Sequence, residues 1–259
     1  MALLGLAHPV HADEPRAERH LRVRSPHGAV HVWSPGGYDP ATAATVIYVH
    51  GYFADVDSAW SGHHLAAQFR ASGLNALFVA CEAPGDATQP VAWTSLGELL
   101  ALVRRATGGL PSGRVVALGH SGAHRTLLRW LDEPRLDTIA LVDAAYGDLS
   151  TYDAWLDARD DRRLIDVGDV TRAATDVFHE SRPETFVIDR FPPPESGTLP
   201  VDALDARIVY VRSYMGHMAL VSGGVAIPMV LRAVAAPLVE HARRDAPLAG
   251  TQDQNHPTA

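Results

Sequence analysis

Apolar residues along this chain fall into two alternating patterns. Short unbroken runs rich in β-branched residues have the signature of strands buried on both faces: "ATVIYVH" (44–50), "NALFVA" (75–80), "RVVALG" (114–119), "TIALV" (138–142), "RRLIDVG" (162–168) and "ARIVYVRSY" (206–214). Between them lie stretches whose apolar positions recur every three or four residues, the period of a helix with one covered side. These are "SAWSGHHLAAQFRASG", closed by Gly73; "SLGELLALVRRATGG"; a helix from Gly122 to a stop at Pro134; "LSTYDAWLDAR"; "TRAATDVFHESR"; and a final helix through Val239 after "MGHMALV". The first two end in glycine, which accepts the left-handed conformation that closes a helix. "LRVRS" and "AVHVW", separated by "PHG", read as an opening hairpin.

No repeat and no Ser-, Gly- or Pro-rich linker interrupts the alternation, so residues 16–242 read as a single domain between tails at 1–15 and 243–259. Strand–helix alternation predicts a mostly parallel, twisted sheet with helices on both faces, and ligands beyond the carboxyl ends of its strands.

Composition narrows the function. Across 259 residues, 47% hydrophobic and 20% charged content describes a soluble globular protein, and a net charge of −8 opposes a nucleic-acid partner. All 22 basic residues are arginine, which leaves no lysine for a Schiff base. The lone cysteine, Cys81, excludes an intramolecular disulfide or a cysteine metal cluster and reads as a buried, inert thiol. The 14 histidines fall in no metal-ligand spacing, and neither a G-x-G-x-x-G nor a P-loop occurs, so neither metal nor cofactor is expected. The longest apolar stretch, 225–239, is broken by Pro228, Arg232 and Pro237 and is no membrane span. "MALLGLAHPVHADEP" is either the remainder of an export signal or a loose tail; export is the reading preferred, although the basic start of a signal peptide is missing.

The chemistry centres on "GHSGAH" (119–124), which fits G-x-S-x-small with Ala123 in place of the second glycine. A strand-to-helix turn this tight needs small residues on both sides of Ser121 and exposes its hydroxyl at the positive end of a helix. The competing reading is a serine that merely caps a helix.

"VIYVHGY" (46–52), "GHSGA" (119–123) and "GHMALV" (216–221), in that order, resemble the α/β-hydrolase fold family over almost the whole chain. The resemblance implies a serine hydrolase with Ser121 as nucleophile and His217 as base. It implies an oxyanion hole of two backbone amides, those of Tyr52 and Gly122. The family places the triad acid after either of two strands, and this chain offers Asp143 at one and Asp169 at the other. Asp143 is preferred, because Asp169 or Thr171 has a sufficient role in starting the next helix. Asp166 falls within its strand, His120 and His124 are turned away from the hydroxyl, and His179 lies mid-helix. Glu82 and Phe53 are candidates for substrate binding, and Tyr52, Phe53, Trp60 and Trp93 for the wall of an acyl pocket.

The connection after Asp143 is too short for a cap domain, and the proline-rich segment 182–207 is expected along the rim, so the site should be open. The leading expectation is hydrolysis of an ester in a small-molecule or envelope-derived acyl substrate. An amidase or peptidase and a non-catalytic binding protein are the alternatives.

Overall fold

The computed structural model describes residues 16–147, 149–234 and 236–239. The tails at 1–15 and 243–259, and with them the export reading, lie outside the described residues.

Among the described residues nine strands form one sheet: β1 (Arg19–Ser25), β2 (Gly28–Ser34), β3 (Ala44–Val49), β4 (Ala76–Cys81), β5 (Val115–His120), β6 (Leu136–Val142), β7 (Arg163–Gly168), β8 (Phe186–Ile188) and β9 (Ile208–Arg212). Their spatial order is β1-β2-β4-β3-β5-β6-β7-β9-β8. β1 and β2 form the opening hairpin and β2 runs antiparallel to β4, while every other pairing is parallel. The unbroken apolar runs are explained by burial on both faces: every residue of β3, β4, β5 and β7 is buried.

The helices are α1 (Val56–Gly62), α2 (Leu65–Ser72), α3 (Leu96–Thr107), α4 (His124–Arg129), α5 (Ser150–Asp157), α6 (Arg172–Glu180), α7 (Val201–Asp205), α8 (Ala219–Ser222) and α9 (Ala226–Arg232). One core, with Tyr48, Phe69, Phe78 and Ile227, lies under α1, α2, α7, α8 and α9. The other, with Ile47, Leu99, Trp130 and Trp155, lies under α3, α4, α5 and α6. Among the described residues, the segment between β6 and β7 holds α5 alone, and no large cap covers the strand ends.

Several expected boundaries shift. "SAWSGHHLAAQFRASG" is two helices, because His64 adopts φ +50° between α1 and α2 while the His63 ring turns inward to hydrogen-bond Tyr48 Oη at 2.7 Å. The helix after Ser121 starts as a 3-10 turn and ends at Arg129, short of Pro134; Trp130 then buries its indole and donates to Trp93 O at 2.9 Å. The expected last strand stops at Arg212, and the final helix at Arg232. The segment 182–207 is more than a rim: it supplies β8, which pairs in parallel with β9 at the sheet edge, and α7.

The register sets up the site. Val49 pairs with Gly119, His120 with Val142, Val142 with Val167, and Val167 with Val211. Residues just beyond these pairs therefore stand in a row along one edge, and the chain places His50, Ser121, Asp143, Asp169 and Ser213 there.

Candidate active site

Ser121 follows β5 with φ +53°, a left-handed conformation that a side-chain-bearing residue seldom adopts. Its neighbours explain the tolerance for small residues. A Cβ at Gly119 would lie 2.6 Å from Leu127 Cδ1 and 2.9 Å from the Ala123 Cβ, and one at Gly122 would lie 2.4 Å from the Tyr52 ring. The Tyr52 ring therefore lies against Gly122, which brings the backbones after β3 and β5 together. The Tyr52 amide has no acceptor among the described residues. The Gly122 amide opens a 3-10 turn, where N–H groups lack an intrahelical partner. Phe53 N–H, in contrast, is committed to Gly85 O at 2.7 Å.

Asp143 follows β6 with φ +48° and is fully buried. Its Oδ1 accepts from the Asp169 amide at 3.0 Å, the Thr171 amide at 2.9 Å and the Thr171 hydroxyl at 2.8 Å. Its Oδ2 accepts from the Val170 amide at 3.1 Å and from His217 Nδ1–H at 2.5 Å. Burial alone would push this carboxyl up. The bonds from His217 and from the Thr171 and Asp169 amides outweigh it and hold the carboxyl well below the usual range. An ionised carboxylate can only accept, so Nδ1 of His217 carries a proton, directed at Asp143.

Asp169 has a different position. Its Oδ2 accepts from the Gly216 amide at 2.9 Å, so it ties down the loop that carries His217 and leaves the ring to Asp143. His120 lies beneath that loop, its ring 4.4 Å from the His217 ring and its Nε2–H donating to His217 O at 3.3 Å. Burial, then the nearby His217 and His63, bring the His120 pKa down to about 3, so His120 is neutral and adds no charge beside His217. His124 Nδ1–H donates to Ser121 O at 3.2 Å. His179 pairs with Asp166, away from Ser121.

Glu82 belongs to a polar network at the end of β4. His50 donates from Nδ1 to Gly51 O at 2.7 Å and accepts from the Ala83 amide at Nε2, and Glu82 Oε1 stands 3.1 Å from that Nε2. Glu82 and Phe53, the latter 94% exposed, also line an open groove of about 840 Å³ beside the Tyr52 turn. Trp60 and Trp93 do not line it. Trp60 stacks on His20 and His31 at 4.5 and 4.6 Å, and Trp93 is core.

The sequence reading gave Thr171 only a role in starting the next helix and passed over Tyr146. Thr171 supplies both backbone and hydroxyl donors to Asp143, and the Tyr146 ring lies 5.5 Å from that of His124, which is bonded to Ser121 O. Tyr146 sits in "LVDAAYG", one turn beyond the Asp143 strand; an aromatic beside a glycine just past a site-bearing strand end is the signal that was available. Among the described residues no three His, Cys, Asp or Glu side chains are grouped to hold a metal, and no helix is long and apolar enough to cross a membrane.

No protein-family model and no curated protein matches the sequence. Solved structures do match in shape. A serine-to-alanine mutant of the feruloyl esterase module from Clostridium thermocellum, complexed with sinapinate, aligns over 83% of this chain and 88% of its own at 12% identity, with a TM-score of 0.55. Carboxyl esterase 2 from the mycorrhizal fungus Tuber melanosporum aligns over 83% and 85% at 12% identity, with a TM-score of 0.50. At such identities the likeness is one of architecture, and with the strand order above it identifies the chain as having the α/β-hydrolase fold.

Proposed function

We propose that the protein is a serine hydrolase that cleaves carboxylic esters through an acyl-enzyme on Ser121. The observation that carries this reading is the 2.5 Å contact from His217 to the buried Asp143, one strand away from a serine held at φ +53°. In this scheme Ser121 Oγ attacks the ester carbonyl and its proton passes to His217 Nε2, while Asp143 stabilises the resulting imidazolium. The Tyr52 and Gly122 amides receive the oxyanion, each contributing about 3 kcal/mol of transition-state stabilisation. His217 then returns the proton to the leaving alkoxide, and water repeats the sequence to free the acid. The groove lined by Phe53 and Glu82 offers room for one arm of the substrate. That the structural neighbours include a feruloyl esterase and a carboxyl esterase accords with an ester as substrate.

The test is a panel of esters and matching amides of graded acyl length, assayed with the parent and with a folded Ser121→Ala variant. Esters should turn over, and Ser121→Ala should lose roughly 10⁴- to 10⁶-fold in kcat. Hydrolysis that survives the substitution overturns the nucleophile, and amides cleaved as fast as esters would make the protein an amidase.

A further inference from the structure

On the serine-hydrolase reading His217 takes a proton from one oxygen and hands it to another, which requires its plane to be fixed as well as its direction. The direction is set by the Nδ1–H bond to Asp143 Oδ2 at 2.5 Å. A single bond of that kind holds one edge of the ring and leaves the ring free to tilt about it, which carries Nε2 off target. The backbone offers little resistance. Gly216, just before His217, takes φ +89°, and a Cβ there would meet nothing within 4 Å.

The His120 ring stands where it can fix that tilt. His120 closes β5 immediately before Ser121 and is 3% exposed. Its ring centroid lies 4.4 Å from that of His217 at an interplanar angle of 38°, and among the described residues no other ring stacks on His217. Its Nε2–H donates to His217 O at 3.3 Å, while Asp169 accepts from the Gly216 amide at 2.9 Å, so the loop is tied both before and after the His217 side chain. His120 is itself boxed in. Gly51 carries only hydrogen where a Cβ would stand 3.2 Å from His120 Nδ1, and the His63 ring meets it edge-on at 6.1 Å. His63 is in turn bonded through Nδ1 to the Tyr48 hydroxyl at 2.7 Å. Burial keeps His120 neutral, so it sets no second cation against His217 when that ring takes up a proton.

We propose that His120 is a positioning residue for His217: its ring, pressed against one face of the imidazole, sets the tilt that aims Nε2 at the Ser121 hydroxyl and then at the leaving oxygen. This rests on the serine-hydrolase reading above. The proton moves from Ser121 Oγ to His217 Nε2 and on to the leaving oxygen, and none passes through His120. Asp143 sets direction and balances charge, and His120 sets the plane. The ring face rather than the hydrogen bond is the working part, since 3.3 Å is long for a bond from a ring nitrogen, whereas 4.4 Å is a close approach for two rings.

The test is a double-substitution cycle on a p-nitrophenyl ester, with slow variants followed in single turnovers under excess enzyme. His120→Ala should lose roughly 10- to 100-fold in kcat with KM little changed. In a His217→Ala background the same substitution should cost less than about threefold, because a residue that acts through His217 has nothing left to position. His120→Phe, which keeps a ring and loses the donor, should stay within about fivefold of the parent. His120→Gln, which keeps a donor and loses the ring, should fall close to His120→Ala. If His120→Ala gives no soluble protein, His120→Gln takes its place in the cycle, and the contrast between His120→Phe and His120→Gln decides without the cycle. Equal losses in the two backgrounds, no loss on removing the ring, or His120→Gln outperforming His120→Phe overturn the proposal while leaving the serine hydrolase intact. A parent that cleaves no ester, or a Ser121→Ala variant as active as the parent, overturns both.

Discussion

Two buried aspartates on this sheet, Asp143 and Asp166, each face a histidine, and their contrast shows how the surrounding backbone sets the charge of a buried carboxyl. Asp143 and His217 meet at 2.5 Å beyond the end of β6; Asp166 and His179 face each other at 3.4 Å from the middle of β7 and from α6. Both carboxylates are buried, yet Asp143 is held well below the usual range, whereas burial pushes Asp166 up. The cause is the backbone. Past the end of β6, Asp143 reaches the amides of Asp169, Val170 and Thr171, which turn out of β7 and have no ladder to join. Asp166 is inside β7, paired between Leu141 and Tyr210, where neighbouring amides are spent on the sheet. Its Oδ1 has no well-formed hydrogen bond. The histidines differ as well: the His217 side chain is 28% exposed, while that of His179 is 2% exposed and stacked 4.7 Å from the Tyr210 ring.

Replacing the histidines should break the comparison most sharply. His217→Ala is expected to lower kcat by roughly 10⁵- to 10⁶-fold on a good ester substrate, whereas His179→Ala should keep turnover per folded molecule within about threefold and instead lower the melting temperature. Equal losses of activity would make the two pairs equivalent. The carboxylates come next: Asp143→Asn should cost about 10⁴-fold in kcat, and Asp166→Asn should leave kcat nearly unchanged, with stability within about 1 kcal/mol of the parent or above it. Kinetics paired with urea unfolding separate these outcomes. Asp169→Ala should fall between, with roughly a tenfold loss in kcat, because the Gly216 amide loses its acceptor and the His217 loop is less well placed.

The smallest effect is on stability against pH. His63 and His120 are buried, with pKa values brought down to about 4 and about 3 by burial first and by neighbouring histidines second. An unfolded histidine takes up its proton near pH 6.5. Below that pH the unfolded chain binds more protons than the folded one, so stability is full above about 6.5 and is lost on acidification toward about 4, by about 1.4 kcal/mol per pH unit for each ring. Urea unfolding at pH 7 and pH 5 should show the loss, and a flat profile would contradict the neutral state assigned to both rings.

The central strands were readable because a parallel sheet covered on both faces demands continuous apolar runs, and β3 through β7 with β9 obey that demand. The helix break at His64 was not, since a left-handed histidine leaves no mark in the apolar period and the reward for it, the His63–Tyr48 bond, is tertiary. β8 is three residues long and amid prolines, too short for a pattern. In the site, Ser121 and Gly122 could be found because steric limits on the elbow write themselves into glycine and alanine. Asp143 and Asp169 were harder to tell apart, because what distinguishes them, the three amides arriving from the β7 turn, comes from residues far along the chain.

Labelling with a fluorophosphonate at neutral pH, followed by mass mapping of the adduct, tests the activated serine most directly. A single adduct on Ser121 is expected in the parent and in Asp166→Asn, sharply slowed in Asp143→Asn and His217→Ala, and absent in Ser121→Ala. A folded parent that does not label, or an adduct on another residue, would contradict it.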